Sequence, residues 1–229
     1  MGEQRDLSPA ELTRKQLLDA AESLFLAHGF DNVSVRSIIR EAGQKNQSAL
    51  QYHFGNRDGL IMGIQVRRMQ QVETRRRVLI DAALMRSPRL ELRSACALMM
   101  QAPFILCRED RSFREFLGLF GLRLIASNQM IKPAIELQNS DSLAEMNKVI
   151  LGALSHLDSS LLTLREENAN SLGVLAIARR AHLGGSFRGP QAELFFNNLI
   201  DQIAAMLLAP VSDDTAAFLK PRARSPKAV

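Results

Sequence analysis

Two glycines, Gly29 and Gly43, constrain this chain most. Each stands where an amphipathic stretch stops, and together they divide the first sixty residues into three short helices joined by tight turns. Glycine ends a helix because it takes the left-handed C-terminal conformation without steric cost. Upstream of Gly29, Leu17, Ala21, Leu24, Phe25 and His28 recur at three- and four-residue spacing, an apolar stripe suited to packing. Ser8-Pro9-Ala10-Glu11 opens that helix as a capping box. Between the glycines, Ser34 is placed to cap a helix carrying Val35, Ile38, Ile39 and Ala42. A short third segment spans Gln47 to His53, and Asn56 or Asp58 can cap a fourth helix. Two helices around a tight turn, the second exposed, is the arrangement by which helix-turn-helix modules place a helix in the DNA major groove.

The remainder of the chain also reads as helix, with breakers where helices should end. A long helix is expected over Arg57–Arg86, with Gly59 and Gly63 on one face, where small residues permit close approach by another backbone. Ser87-Pro88 is read as the cap of the next helix, which runs to Cys107 and holds Pro103, expected to kink it. Ser112 is expected to open a helix with Phe113, Phe116, Leu117, Phe120 and Leu124, and a shorter one should cover Met130–Leu137. Ser140 would begin a long helix reaching Leu164, Ser171 a short one to His182, and Gln191 the last one to Leu208. The fold class is therefore all-α. Residues 8–56 form an N-terminal three-helix domain, 57–209 a larger helical domain, and 210–229 a flexible basic tail.

At 229 residues with 46% hydrophobic content, the chain can bury a sizeable core. The net charge of +5 says little about nucleic acid. Lys220, Arg222, Arg224 and Lys227 supply +4 of it at the C-terminus, and residues 1–60 hold seven Lys/Arg against eight Asp/Glu. DNA binding must then rest on individually placed cations. Cys96 and Cys107 make no disulfide framework or metal cluster and read as buried small hydrophobes. No paired-ligand spacing, nucleophile elbow or glycine-rich phosphate loop is present, so no enzyme, metal or cofactor is expected. The polar start Met1–Leu7 and the lack of a long apolar run predict a soluble, cytoplasmic protein without membrane partners.

The order Thr13-Arg14, Ala20-Ala21, Leu24-Phe25, Gly29-Phe30, Ser34-Val35-Arg36, Ile38, Ala42-Gly43 and Tyr52-His53-Phe54 resembles the N-terminal domain of the tetracycline-repressor-like (TetR) regulators. Gly55-Asn56-Arg57-Asp58-Gly59-Leu60 looks like that family's start of a fourth helix. The resemblance covers residues 12 to 64. One departure is visible: nine residues, Gln44 to Tyr52, separate Ala-Gly from His-Phe, where the commonest form has eight. A subgroup of the family shares the longer turn, which leaves the register of base contacts open by one position.

The resemblance implies an all-α regulator whose first domain binds DNA and whose second binds a ligand and dimerises. Arg14 and Arg57 are placed like the family's phosphate clamps, and the tyrosine matching Tyr52 points its hydroxyl to a phosphate; His53 is similar in kind. Ser34 and Arg36 start a helix, where a hydroxyl and backbone N–H groups can hold a phosphate. Lys45 can hold phosphate or read guanine, and Gln47, Ser48 and Gln51 are the candidates for base edges, since amides pair bidentately with adenine. Each of these also has a plainer reading as a cap, a solvated cation or a polar loop.

Met99, Met100, Phe104, Phe113, Phe116, Phe120, Met130 and Met146 are the candidates for an apolar effector pocket, against ordinary core packing. Leu154, Leu157, Leu161, Leu194, Phe195, Asn198, Leu199, Gln202, Ile203 and Met206 are the candidates for a dimer seam. The expected function is a homodimeric, ligand-responsive transcriptional regulator, a repressor released from a palindromic operator by a small, largely apolar effector. An activator, an effector-independent regulator, and a helical ligand-binding protein with a non-functional DNA head are the alternatives.

Overall fold

The structure, a computed structural model, describes residues 7–87, 89–126 and 141–219. Regular structure among them is helical. α1 (Pro9–His28), α2 (Val35–Glu41) and α3 (Ser48–Phe54) form a head, and α4 (Arg57–Arg86) carries the chain into a body. The body comprises α5 (Leu92–Glu109), α6 (Arg111–Ala126), α7 (Asp141–Ala153), α8 (Ser159–His182) and α9 (Pro190–Leu208), followed by one turn of α10 (Asp213–Ala216). No helix among the described residues is long and apolar enough to cross a membrane.

The head folds as its caps dictate. Ser8 accepts from the Glu11 amide while the Glu11 carboxylate accepts from the Ser8 amide at 2.8 Å, a reciprocal box. Gly29 ends α1 at φ 75°, ψ 169°, a region that only glycine occupies freely, and its N–H donates to the Phe25 carbonyl. Ser34 caps α2 through the Ser37 amide at 3.0 Å, and Asn56 caps α4 through the Gly59 amide at 2.8 Å. Gly59 is required by proximity: a Cβ there would stand 2.0 Å from the Phe54 carbonyl oxygen.

In the body α6 lies along α8, close enough that a Cβ on Gly121 would meet the Ala178 Cβ at 2.3 Å. α9 packs on α5 and α8, and α5 also touches α4, α6 and α7. Phe113, Phe116, Phe120 and Phe187 are fully buried there.

Several sequence expectations are corrected. Ser87 does not cap α5, which begins at Leu92 with Glu91 in the cap position; the Ser87 hydroxyl instead donates to the Arg89 carbonyl at 2.9 Å. Pro88 lies outside the described residues. α5 runs past Pro103 to Glu109. Asp110, not Ser112, caps α6, because its carboxylate accepts from the Phe113 amide at 3.1 Å. The helix expected from Ser140 to Leu164 is broken after Ala153, since Asp158 accepts from the Ser160 amide and starts α8. α8 then runs unbroken through Ser171, where a new helix had been expected. Leucine spacing carried across that break and concealed it. The helix expected over Met130–Leu137 lies outside the described residues.

Candidate nucleic-acid interface

α3 is seated on the head by one side. Leu50 is buried with Leu17, Ala21, Phe25 and Ile38, while Ala49 and Phe54 are half-buried against the same core. Helical periodicity then turns Gln47, Ser48, Gln51 and Tyr52 outward, and all four are exposed. Tyr52, 82% exposed, sits edge-on to His53 with ring centroids 5.0 Å apart. An exposed tyrosine beside two glutamines is a surface of donors and acceptors on a helix, the form that enters a major groove.

The longer turn before α3 is held from both ends. The Gln44 side-chain amide donates to Gln16 Oε1 on α1 at 3.1 Å. Asn46 Oδ1 accepts from the Ser48 amide at 2.8 Å and also from the Ser48 hydroxyl. Ser48 therefore has its hydroxyl proton committed to Asn46 and keeps only acceptor capacity for a partner. α3 starts at Ser48, which sets Gln47, Gln51 and Tyr52 on its outer face.

The candidate phosphate residues divide. Arg14, Arg36 and Lys45 are exposed, Arg14 with its guanidinium 5.3 Å from the Phe54 ring centre. Ser34 is occupied as a cap, and His53 is half-buried. Arg57 turns inward: it donates to the Phe30 carbonyl and lies 5.3 Å from the Phe25 ring centre. Its Nε is buried without a partner.

Sequence reading missed a charged cluster behind α1. Arg67 reaches Asp19 and Glu22, each at 2.5 Å, and Arg68 Nε donates to Glu22 Oε1 at 2.7 Å. Arg68 also donates to the Ser112 hydroxyl and to Gln71 Oε1 at 2.9 Å. The signal was present. Glu22 stands in the stripe of Leu18, Ala21 and Phe25, and Arg68 in that of Ile61, Ile64 and Val72, where buried charges require partners.

The described candidate effector residues all belong to the hydrophobic core, where their rings fall into two sets. Phe113, Phe116 and Phe120 are packed in sequence, and Phe120 meets Phe25 and Phe30 of the head at 6.4 and 4.7 Å between centroids. Phe104 joins Phe187, Phe195 and Phe196 in the second set. Met100 is buried against Gly173, Met146 is buried and Met99 half-buried, while Met130 lies outside the described residues. Burial pushes the Cys96 thiol up to about 11 and the Cys107 thiol to about 12, so both stay protonated and unreactive at neutral pH.

The candidate dimer residues divide as well. Leu154, Leu199 and Ile203 are buried in their own chain, and Leu157, Leu161, Phe195 and Met206 are half-buried. Leu194, Asn198 and Gln202 face outward on α9, and Leu208, 55% exposed, extends that face. On α8, Leu164 and Leu175 are exposed.

Residues 17–63 match the family model of bacterial regulatory proteins, tetR family. No curated protein sequence matches the chain significantly. Among solved structures, the chain is similar to a protein assigned to the tetR family of transcription regulators from Shewanella sp. PV-4. The two share 15% identity and a TM-score of 0.60, over 83% of this chain and 95% of that one. A tetR family transcription regulator from Marinobacter aquaeolei VT8 aligns at 21% identity and a TM-score of 0.53, covering 83% and 94%. RolR in complex with resorcinol aligns at 14% identity and a TM-score of 0.51, covering 89% and 97%.

Proposed function

Because residues 17–63 are a domain of the tetR family of bacterial regulatory proteins, on a helical fold shared with solved regulators of that family, we propose that this chain is a homodimeric, ligand-responsive repressor. One observation carries the DNA-binding half: α3 buries Leu50 and turns Gln47, Ser48, Gln51 and Tyr52 outward. Gln47 and Gln51 read base edges; Arg14, Arg36, Lys45 and Tyr52 hold phosphates on either side. Because the head carries no net positive field, one head alone makes too few contacts, and two heads on a palindrome supply the affinity.

The pairing surface is the outer face of α8 and α9, where Leu164, Leu175, Leu194 and Leu208 are exposed among polar residues such as Asn198 and Gln202. A twofold pairing of this face forms a four-helix seam. The effector is a small, largely apolar molecule taken up by the body, and its binding shifts α4 and with it the spacing of the heads. RolR has the same fold and was solved with resorcinol, so small aromatic compounds are the first probes.

The test is selection of duplexes from a randomised pool, followed by a mobility shift and sedimentation of the protein with and without DNA. The proposal expects an enriched palindrome bound by a dimer. Failure to enrich any sequence would leave a helical protein whose head does not read DNA.

A further inference from the structure

Resting on the reading that two heads grip one duplex, we propose that Arg68 is the positioning residue that fixes the angle of the head on the body. α1 lies against the side of α4, and two sets of contacts tie it through to α6. One is aromatic, Phe25 and Phe30 against Phe120. The other is ionic and centres on Arg68. Its Nε and Nη2 hold Glu22 Oε1 of α1 at 2.7 and 2.6 Å. The same guanidinium reaches the Ser112 hydroxyl at the start of α6, and Asp110 at 3.6 Å. One side chain of α4 thus holds the head with one edge and the α5–α6 corner with the other.

Apolar rings can slide over one another at small cost, whereas a guanidinium fork binds in one plane and one direction. Glu22 and Arg68 keep only 5% and 8% of their side chains exposed, so each charge is satisfied mainly by protein groups and a bond lost between them leaves a buried charge without its partner. Leucine at both positions would complete the apolar stripes of α1 and α4 and would stabilise the joint at least as well. The charges instead specify an orientation. A cleft of about 390 Å³ lies alongside, lined by Asp19, Glu22, Arg67, Arg68 and Ser112, so surrounding packing does not lock this side of α1. The ion pairs supply that restraint, with Arg67 bridging Asp19 and Glu22 beside them.

Head angle sets the separation of two recognition helices about a twofold axis, and successive grooves on one face of DNA recur at about 34 Å. The test compares the parent with Arg68→Met, Arg68→Lys and Ser112→Ala. Arg68→Lys keeps the charge, but a single ammonium cannot hold both sides of the joint. Ser112 is exposed, so Ser112→Ala removes the nearer of the two body partners of Arg68, leaves Asp110 at 3.6 Å, and preserves folding. The probes are palindromic duplexes selected by the parent, the same duplexes with about five base pairs inserted at the centre, and single half-sites. The parent should lose roughly 100-fold on insertion, because simultaneous engagement is lost. The variants should bind half-sites within about twofold of the parent, bind the intact palindrome about tenfold more weakly, and lose less than about tenfold on insertion. An unchanged insertion penalty, or equal losses on half-site and palindrome, overturns the proposal.

Amide exchange judges Arg68 without DNA. α1 to α3 should exchange at least about tenfold faster in Arg68→Lys while α8 and α9 keep their parent rates. Equal exchange in α1 to α3 overturns the proposal even if the parent selects no duplex, an outcome that would separately remove the DNA-binding reading.

Discussion

Phe30, just beyond the end of α1, meets Phe120 of α6 edge to face, with ring centroids 4.7 Å apart and planes at 77°. The two residues are ninety positions apart in sequence (120 − 30), and their contact makes one continuous core of head and body. Phe120 is fully buried and also packs on Phe116 at 4.6 Å. Phe120→Ala removes the ring from both partners and leaves a cavity, so it should lower unfolding free energy by about 3–5 kcal/mol. Urea denaturation measures it. A loss below about 1 kcal/mol would mean that the two parts do not share a core.

Arg57 should behave as a structural residue before it behaves as a DNA contact. Its guanidinium donates to the Phe30 carbonyl and covers the Phe25 ring. Arg57→Ala is expected to cost roughly 1.5–3 kcal/mol of stability, the range for a hydrogen bond to a charged group. If the variant keeps its full stability and only loses DNA affinity, the side chain must turn outward on the duplex.

Gln51 and Tyr52 stand side by side on the outer face of α3 with different assignments. Gln51→Ala should relax base preference at one or two positions, at about 1–3 kcal/mol per lost bidentate contact. If Tyr52 holds a phosphate as proposed, Tyr52→Phe should weaken binding to all sequences alike. Selection profiles of the two variants distinguish these outcomes. A Gln51→Ala profile identical to the parent's would exclude Gln51 as a base reader.

The head was legible in the sequence because its boundaries are set by local chemistry. Ser8, Ser34 and Asn56 each cap the helix that follows, and Gly29 ends one by its own backbone freedom. The body was less so. Leu154, Leu157 and Leu161 keep helical spacing straight through a turn, and the residue that announces the break, Asp158, is an ordinary polar residue until its carboxylate meets the Ser160 amide. The outer face of α3 could be read from polarity alone. The inward turn of Arg57 could not, because its acceptor is a carbonyl 27 residues upstream.

Glu166 on α8 provides a test by pH. Burial pushes its carboxyl above the ordinary value of 4.5. The ionised form is therefore disfavoured in the fold, and the group destabilises the protein once pH rises through the unfolded-state value. It costs nothing below that value, where both states hold the proton. Glu166→Gln should raise the urea midpoint at pH 7 and change it little at about pH 3.5, below the ordinary glutamate value, where this carboxyl is mostly protonated in both states. A gain of equal size at both pH values would assign the effect to packing instead.

Assembly can be tested on α9, where burial separates two sets of apolar residues on opposite sides of the helix. Leu199 and Ile203 are 3% exposed each, packed toward α5 and α8. Charges placed there would be buried without partners, so Leu199→Arg with Ile203→Glu should unfold the chain rather than merely separate two copies. Leu194 and Leu208 are 62% and 55% exposed on the opposite side. They are fourteen residues apart, a near-whole number of helical turns, so they mark the two ends of one outward stripe. Leu194→Arg with Leu208→Arg would set like charges in apposition across a twofold seam while leaving each chain's own core intact. The expected product keeps the parent's circular dichroism spectrum and a cooperative melt, sediments as one chain, and retains only half-site affinity for DNA. Sedimentation of the unmodified protein as a monomer at micromolar concentration would sink the assignment, and so would a Leu194→Arg, Leu208→Arg protein that remains a dimer.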